Sequence, residues 1–475
     1  MDSQIKGDNI AMEERPFILF ACHPLTGHLT PAIKAAGALH SRGWPVSFLG
    51  PTAHKARITA CGATFFPLQG SADHDDLLYY SPENPHPPVP DYWNRSWAGR
   101  ALVDVEKQWL DPIPDQWTSV KTALSELHAR DPQKEVVVIA EAVFHGLLPL
   151  FYGAPLPAGV KRPRATLALS VTVPLTRSAH LPPFGFSLPY DPDLARSAQT
   201  VKSWDFWARK SAPVKDMLNR KLVEAGATAG VEGVFMDGEM YTQYTTFMQL
   251  GVPSFFFPRP DWPNNFRFVG VIPAANPEKG WGQLATWWND VAMGTRKDGV
   301  KVVVVAQGTV ETDPWELILP TIFAMAERKD VLVVAILGRK GATLPSQNSR
   351  PLPSNTRVTD YLHYDAVLPH AHAWVHNGGY GAVQHGIANG VPMVVAGEGQ
   401  DKTENAKRVA YSGAGVDLGT AKPEVEDVRR AVEAVLDVPN YRERVEVLRQ
   451  EAEALSCYDA IETAVAEACQ RSCLP

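Results

Sequence analysis

The chain has 475 residues, 45% of them hydrophobic and 20% charged, a length beyond one hydrophobic core and a composition that excludes a disordered polymer. A net charge of -7 gives no basic field for nucleic acid or an anionic membrane, so a small-molecule partner is expected. Cys22, Cys61, Cys457, Cys469 and Cys473 make neither a disulfide framework nor a zinc spacing, and no run approaches the roughly 20 apolar residues of a membrane helix. A cytoplasmic protein follows.

Residues 1–15 read as a polar, disordered tail without the apolar stretch of a signal peptide. Short β-rich runs then alternate with helical stretches, the pattern of an α/β doubly wound parallel sheet, and the pattern occurs twice. In the first half the strands are predicted near Phe17–Ala21, Val46–Leu49, Val136–Ala140, Ala165–Leu169 and Val231–Met236. Residues 16–255 form this domain, and residues 256–300, dense in proline from Pro258 to Pro277, form a linker. In the second domain, residues 301–455, strands are expected near Val302–Ala306, Val331–Ile336, Thr356–Thr359, Ala373–His376, Met393–Ala396 and Gly415–Leu418. Residues 456–475 form a last helix that packs back on the first domain.

The first strand leads through HPLTGHLTPA into a helix, for which Thr30 is the expected N-cap and Pro31 the first helical residue. His28 therefore falls just before that helix, at the carboxyl edge where doubly wound sheets bind ligands. An imidazole there can take a proton from an attacking hydroxyl; His23, in the same loop, is the alternative. Glu141 follows the strand VVVIA at the same edge and is either the carboxylate that orients the histidine or a solvated loop side chain. Two loops rich in proline and aromatics, Gln69–Trp97 and Arg177–Asp193, carry Tyr79, Tyr80, Trp93, Phe184 and Phe186. With Phe144 these are the candidate acceptor-binding side chains, unless they only pin the loops to the core.

In the second half, VHNGGYGAVQHGIANG is a strand, a glycine turn and a short helix. The glycines allow close approach of a diphosphate to backbone N–H groups at the helix N-terminus, although such turns are common after strands. The histidines of HAHAWVH, His370, His372 and His376, also permit a metal-dependent hydrolase reading, but no spaced carboxylate completes a metal-activated water site.

Asn377 through Lys402, NGGYGAVQHGIANGVPMVVAGEGQDK, resembles the donor-binding signature of the family-1 UDP-glycosyltransferases of the fungal and bacterial branch. TGHLTP, QLGVPSFFFPRPDWP, FVGVIP and VVVAQGT extend the resemblance over nearly the whole chain. It implies a GT-B fold, with two Rossmann-like domains facing a cleft, and inverting transfer of a hexose, glucose first, from a UDP-sugar to a hydroxyl of a small lipophilic or phenolic acceptor. No metal is required. At matching positions His28 resembles the general base and Glu141 the supporting carboxylate, an aspartate in most of the family. Gln307, Gly308 and Thr309 resemble the phosphate loop, and Tyr361 stands where a tryptophan stacks on uracil. Asn377 replaces a phosphate-binding histidine, with His376 adjacent, and Gly378, Gly379, Tyr380 and Gly381 continue the turn. His385 replaces a ribose-binding glutamate, and Asp401 with Lys402 the acidic-Gln pair that contacts the sugar. These departures leave a non-catalytic nucleotide-sugar-binding protein as the alternative.

Overall fold

The computed structural model describes residues 14–81, 84, 86–275, 285–297, 299–308, 313–345 and 351–470. Its frame is two open sheets. The first comprises β1 (Phe17–Ala21), β2 (Val46–Gly50), β3 (Thr64–Pro67), β4 (Val136–Glu141), β5 (Ala165–Ser170), β6 (Thr246–Gln249) and β7 (Phe266–Phe268), in the order β3-β2-β1-β4-β5-β6-β7. The second comprises β8 (Lys301–Ala306), β9 (Val331–Ile336), β10 (Thr356–Thr359), β11 (Ala373–His376), β12 (Met393–Val395) and β13 (Gly415–Asp417), in the order β10-β9-β8-β11-β12-β13. All pairings between these strands are parallel. The central strands are apolar on both faces, as in VVVIA and KVVVVA, because helices cover both sides of a parallel sheet.

Strand order reverses between β1 and β4 in the first sheet and between β8 and β11 in the second. At such a reversal the connecting helices leave toward opposite faces, which opens a crevice beyond the carboxyl ends of the strands. Register brings Ala21 beside Ala140 at the first reversal and Ala306 beside His376 at the second. One apolar cluster runs from Ile18 and Phe20 through Phe256 and Tyr380 to Trp374 and Val304, so burial is continuous between the two sheets.

Three local expectations change. Val231–Met236 is a turn, not a strand: Glu239 accepts from the Gly233 N–H and Asp237 from that of Val234, so carboxylates satisfy N–H groups that a ladder would otherwise need. The proline-rich stretch holds β7, paired to β6, so the first sheet runs past residue 255 to Phe268. The first helix spans Thr26–Ser41, placing His28 inside its first turn and Pro31 in its interior. The start is fixed from outside, by Asp76 accepting from Thr26 N at 2.6 Å and from Thr26 Oγ1 at 3.0 Å.

The chain ends in helices Pro439–Leu455 and Cys457–Gln470, separated by Ser456 in the left-handed region at φ 48°. The last helix lies against the first helix and against β4, β5 and β6. Glu462 accepts from Arg42 at 2.6 Å and from the indole N–H of Trp44 at 2.7 Å. Among the described residues no helix is long and apolar enough to cross a membrane.

Trp44 is buried, so Glu462→Ala leaves an indole N–H without a partner in the interior. That substitution is expected to cost about 1–3 kcal/mol. Asp459→Ala, which removes the more exposed partner of Arg42, should cost under about 0.5 kcal/mol. Urea unfolding midpoints of the two variants check the order.

Candidate active site

His28, in the first turn of the helix that follows β1, and Glu141, the last residue of β4, stand on either side of the reversal of the first sheet. The Nδ1 of His28 lies 3.1 Å from Oε1 of Glu141, whose side chain is fully buried, while the imidazole is 19% exposed. Glu141 Oε2 has no hydrogen-bond partner among the described residues. The contact is ionic first and a hydrogen bond only in part. Glu141 is oriented by accepting from the Val143 N–H at 3.2 Å. With Nδ1 turned to the carboxylate, Nε2 is the nitrogen left for an incoming hydroxyl. Burial lowers the His28 pKa, but Glu141, then Asp401 and Asp76, outweigh it and hold the imidazole above its ordinary value.

His23 is excluded from the same work by its surroundings. It is wholly buried, its Nε2 lies 2.8 Å from the Gln108 carbonyl, and its ring stacks on Trp109 at 5.1 Å. Burial drives its pKa well below the usual range and keeps it neutral.

Across the cleft the second reversal gathers the glycine turn. Gln307 and Gly308 end β8, and Asn377 to Gly379 follow β11. Asn377 Nδ2 donates to the Gln307 carbonyl, joining the two loops. Gly378 needs its φ of +85°, and a Cβ there would meet the Lys402 carbonyl at 2.9 Å. Gly379 caps the helix Tyr380–Ala388, and a Cβ on Gly381 would enter open space. His376 is buried, accepts from the Gly378 N–H at 3.0 Å, and is pushed by burial to about 3. It is therefore neutral and turned into the fold, which leaves Asn377 at the turn. Gln307 spends both ends of its amide internally, on Asp313 O and Ile318 N. Thr309 lies outside the described residues.

The chain is 34% identical over 460 residues to UDP-glucosyltransferase 1 of Beauveria bassiana (strain ARSEF 2860), covering 96% of each chain. It belongs to the family-1 UDP-glycosyltransferases. UDP-glucosyltransferase A1 of Starmerella bombicola is 32% identical over 461 residues, spanning 95% of this chain and 92% of that one. Residues 326–468 match the family model of the erythromycin biosynthesis protein CIII-like C-terminal domain. Among solved structures, the glycotransferase of kitacinnamycin aligns with TM-score 0.67 at 18% identity over 96% of this chain and 99% of that one. The calicheamicin glycosyltransferase CalG4 aligns with TM-score 0.65 at 18% identity over 97% and 100%. The fold is GT-B.

In this glycosyltransferase the remaining predicted residues fall into distinct places. Tyr361 is 41% exposed, with Lys340 over its ring at 5.9 Å. His385 Nδ1 lies 2.6 Å from Asp365, which also faces Lys34 of the first helix at 3.5 Å. Asp401 accepts from Thr172 Oγ1 at 2.8 Å across the cleft, and Lys402 is buried behind it at the start of a helix. Tyr380 turns its hydroxyl to the Leu250 carbonyl and to Gln249 Nε2, so it fastens the two domains. His370 packs edge-on to Trp288, and His372 Nδ1 accepts from the Val302 N–H. Among the described residues no group of three His, Cys, Asp or Glu side chains is placed to hold a metal.

On the acceptor side, Tyr79 and Tyr80 pack edge to face, and Tyr79 donates with Tyr92 to Asp104. Burial pushes Asp104 up to about 6, against the two hydroxyls that favour its charge. Trp93 is 36% exposed under Arg100, and Phe186 meets Phe206. Phe184 is half-buried, packed against the cluster that joins the two sheets and against a second cluster within the first domain. Phe144 is fully buried in the core and offers no ring face to the cleft, a correction to its expected role. Trp109 was missed by sequence reasoning: it sits edge-on to His28 at 5.9 Å, inside the π-helical segment Val105–Leu110. Its only sequence signal is an aromatic in a helical stretch, which usually means core.

The causes acting on His28 set the sign of a titration. Glu141→Gln removes the largest upward influence and leaves burial, so the His28 pKa should fall. Asp401→Asn should move it in the same direction by less. NMR titration of the His28 Cε1–H signal in the three proteins checks both.

Proposed function

We propose that this enzyme transfers glucose from UDP-glucose, with inversion, to a hydroxyl of a small lipophilic or phenolic acceptor. The observation that carries the reading is the His28–Glu141 contact at the reversal of the first sheet, with its charge influenced by Asp401 of the second domain. The names of the two fungal and yeast relatives, both UDP-glucosyltransferases, support the donor.

The mechanism follows from the geometry. His28 Nε2 takes the acceptor proton as the acceptor oxygen attacks the anomeric carbon, and Glu141 stabilises the imidazolium that forms. UDP leaves from the opposite face in one displacement. Its growing charge meets the turn Asn377–Gly381, the N-terminus of the helix beyond it and the loop at Gln307 and Gly308, a preorganised set that calls for no resident metal. The exposed ring of Tyr361 stacks on uracil, and His385, backed by Asp365, faces the ribose. Asp401 exchanges its bond to Thr172 for the sugar hydroxyls, with Lys402 behind it. Tyr79, Tyr80, Trp93, Phe184 and Phe186 form the acceptor wall. Cys22, Cys61, Cys457 and Cys469 are all free, and with the acidic net charge they favour a cytoplasmic enzyme that binds neither nucleic acid nor membrane.

A screen of UDP-sugars against phenols and alcohols, with product linkage determined by NMR, tests donor, acceptor class and stereochemistry together. Retained anomeric configuration, or no transfer from UDP-glucose to any acceptor, would overturn the reading. His28→Ala should lower kcat about 100-fold or more while leaving UDP affinity by calorimetry within about 2-fold. Wild-type kcat/KM should fall as pH drops through the raised His28 pKa, because the base works only unprotonated, and in Glu141→Gln this acid limb should lie at lower pH.

A further inference from the structure

The loop Arg177–Asp193, which carries Phe184 and Phe186, belongs to the first domain but is anchored to the second. Glu404 Oε1 accepts three bonds from it: Gly185 N–H at 3.1 Å, Ser187 N–H at 2.9 Å and Ser187 Oγ at 3.3 Å. The loop is bent to allow this, with Gly185 at φ +88° and Ser187, an L-residue, in the left-handed region at φ +50°. Two N–H groups on either side of Phe186 turned to one point make a seat for a single anionic oxygen. The other oxygen of Glu404 meets Arg408 at 2.7 Å, and that guanidinium lies over the Phe257 ring at 4.5 Å. Glu404 and Arg408 are both buried. A cavity of about 40 Å³ lined by Phe184, Leu188, Phe257, Glu404 and Arg408 lies beside this polar seat, and the loop makes a second contact with the same helix where Tyr190 packs edge-on to Tyr411 at 5.1 Å.

Glu404 stands one helical turn after Asp401, on the helix Lys402–Ser412. The same turn of backbone thus presents one carboxylate to Thr172, at the end of β5, and another to the aromatic loop. Resting on the assignment of that loop to the acceptor and of Asp401 to the donor sugar, we propose that Glu404 is a positioning residue. It completes the acceptor wall only when the donor-binding helix is docked on the first domain. Arg408 holds Glu404 aimed, and the loop reads its position through two backbone N–H groups.

Glu404→Ala removes the seat; Glu404→Gln keeps an oxygen that accepts from the loop but loses the ion pair. In Glu404→Ala the acceptor KM should rise about 10-fold or more with UDP affinity within about 2-fold of wild type, and Glu404→Gln should recover part of the difference. A merely structural residue would weaken both ligands together. Hydrogen exchange, read by mass spectrometry on peptides covering Gly185 and Ser187, should quicken in the same order while the strands of both sheets keep their protection. Unchanged acceptor KM, or unchanged exchange in Glu404→Ala, overturns the proposal. Exchange is read without turnover: if the wild type transfers no glucose, the functional reading fails on its own, and the exchange result still decides whether Glu404 holds the loop.

Discussion

A buried carboxylate needs partners that replace its lost hydration, and much of this active site is organised by the Val143 N–H and the His28 imidazole, the partners of Glu141. Its side chain is out of contact with solvent at the end of a central strand, where Cys22 is its neighbour across the sheet edge. Burial first, and Glu141 second, push the Cys22 thiol well above its ordinary range, so the thiol stays neutral. His28 is left as the group that can answer the charge. The same contact fixes which ring nitrogen faces the cleft and how readily it takes a proton, two properties that a loop histidine in water would not have.

The second domain solves the opposite problem, of receiving negative charge without a buried base. His376 lies next to the turn but is neutral by burial, and the structure tucks it beneath the Gly378 N–H. Asn377 instead bridges the ends of β8 and β11, which holds the two halves of the cradle at a fixed spacing. Gly378 supplies the close approach: its missing Cβ is what allows the turn to lie against the helix that begins with Lys402. For the proposed UDP-sugar donor, positioning and not formal positive charge is thus the means by which this domain would meet the diphosphate.

The sequence was informative where one physical pattern dominated and silent where contacts came from far away. Runs such as VVVIA and VLVVAI have no solvent-facing alternation, so their burial in parallel sheets was legible from composition alone. The strands TFFP, TFMQ and FRF were not: FRF sat among prolines that argued for a linker, and shortness alone does not explain the other two, since TRVT and GVD are as short and were expected. The run at Val231–Met236 looked like a strand because its apolar residues are visible and the carboxylates that bend it, Asp237 and Glu239, act through backbone bonds. The start of the first helix was misplaced because its cap, Asp76, lies 50 residues away. His28 and Glu141 could be paired on paper through the shared edge of their strands, whereas Trp109, Asp104 and Glu404 enter only through tertiary packing.

The domains also communicate through charge. Asp401 belongs to the second domain yet contributes to the elevated pKa of His28 in the first. Its carboxylate is held near the first domain by the Thr172 hydroxyl, at the end of the strand next to the one that ends in Glu141. Separating the domains would withdraw that field and leave Glu141 and Asp76 to oppose the burial of the imidazole. If His28 is the base proposed above, docking does more than bring two ligands together, because the Asp401 carboxylate also raises the proton affinity of that imidazole. A fold made of two independent sheets gains in this way a chemical dependence between them, carried by one carboxylate across a single hydroxyl.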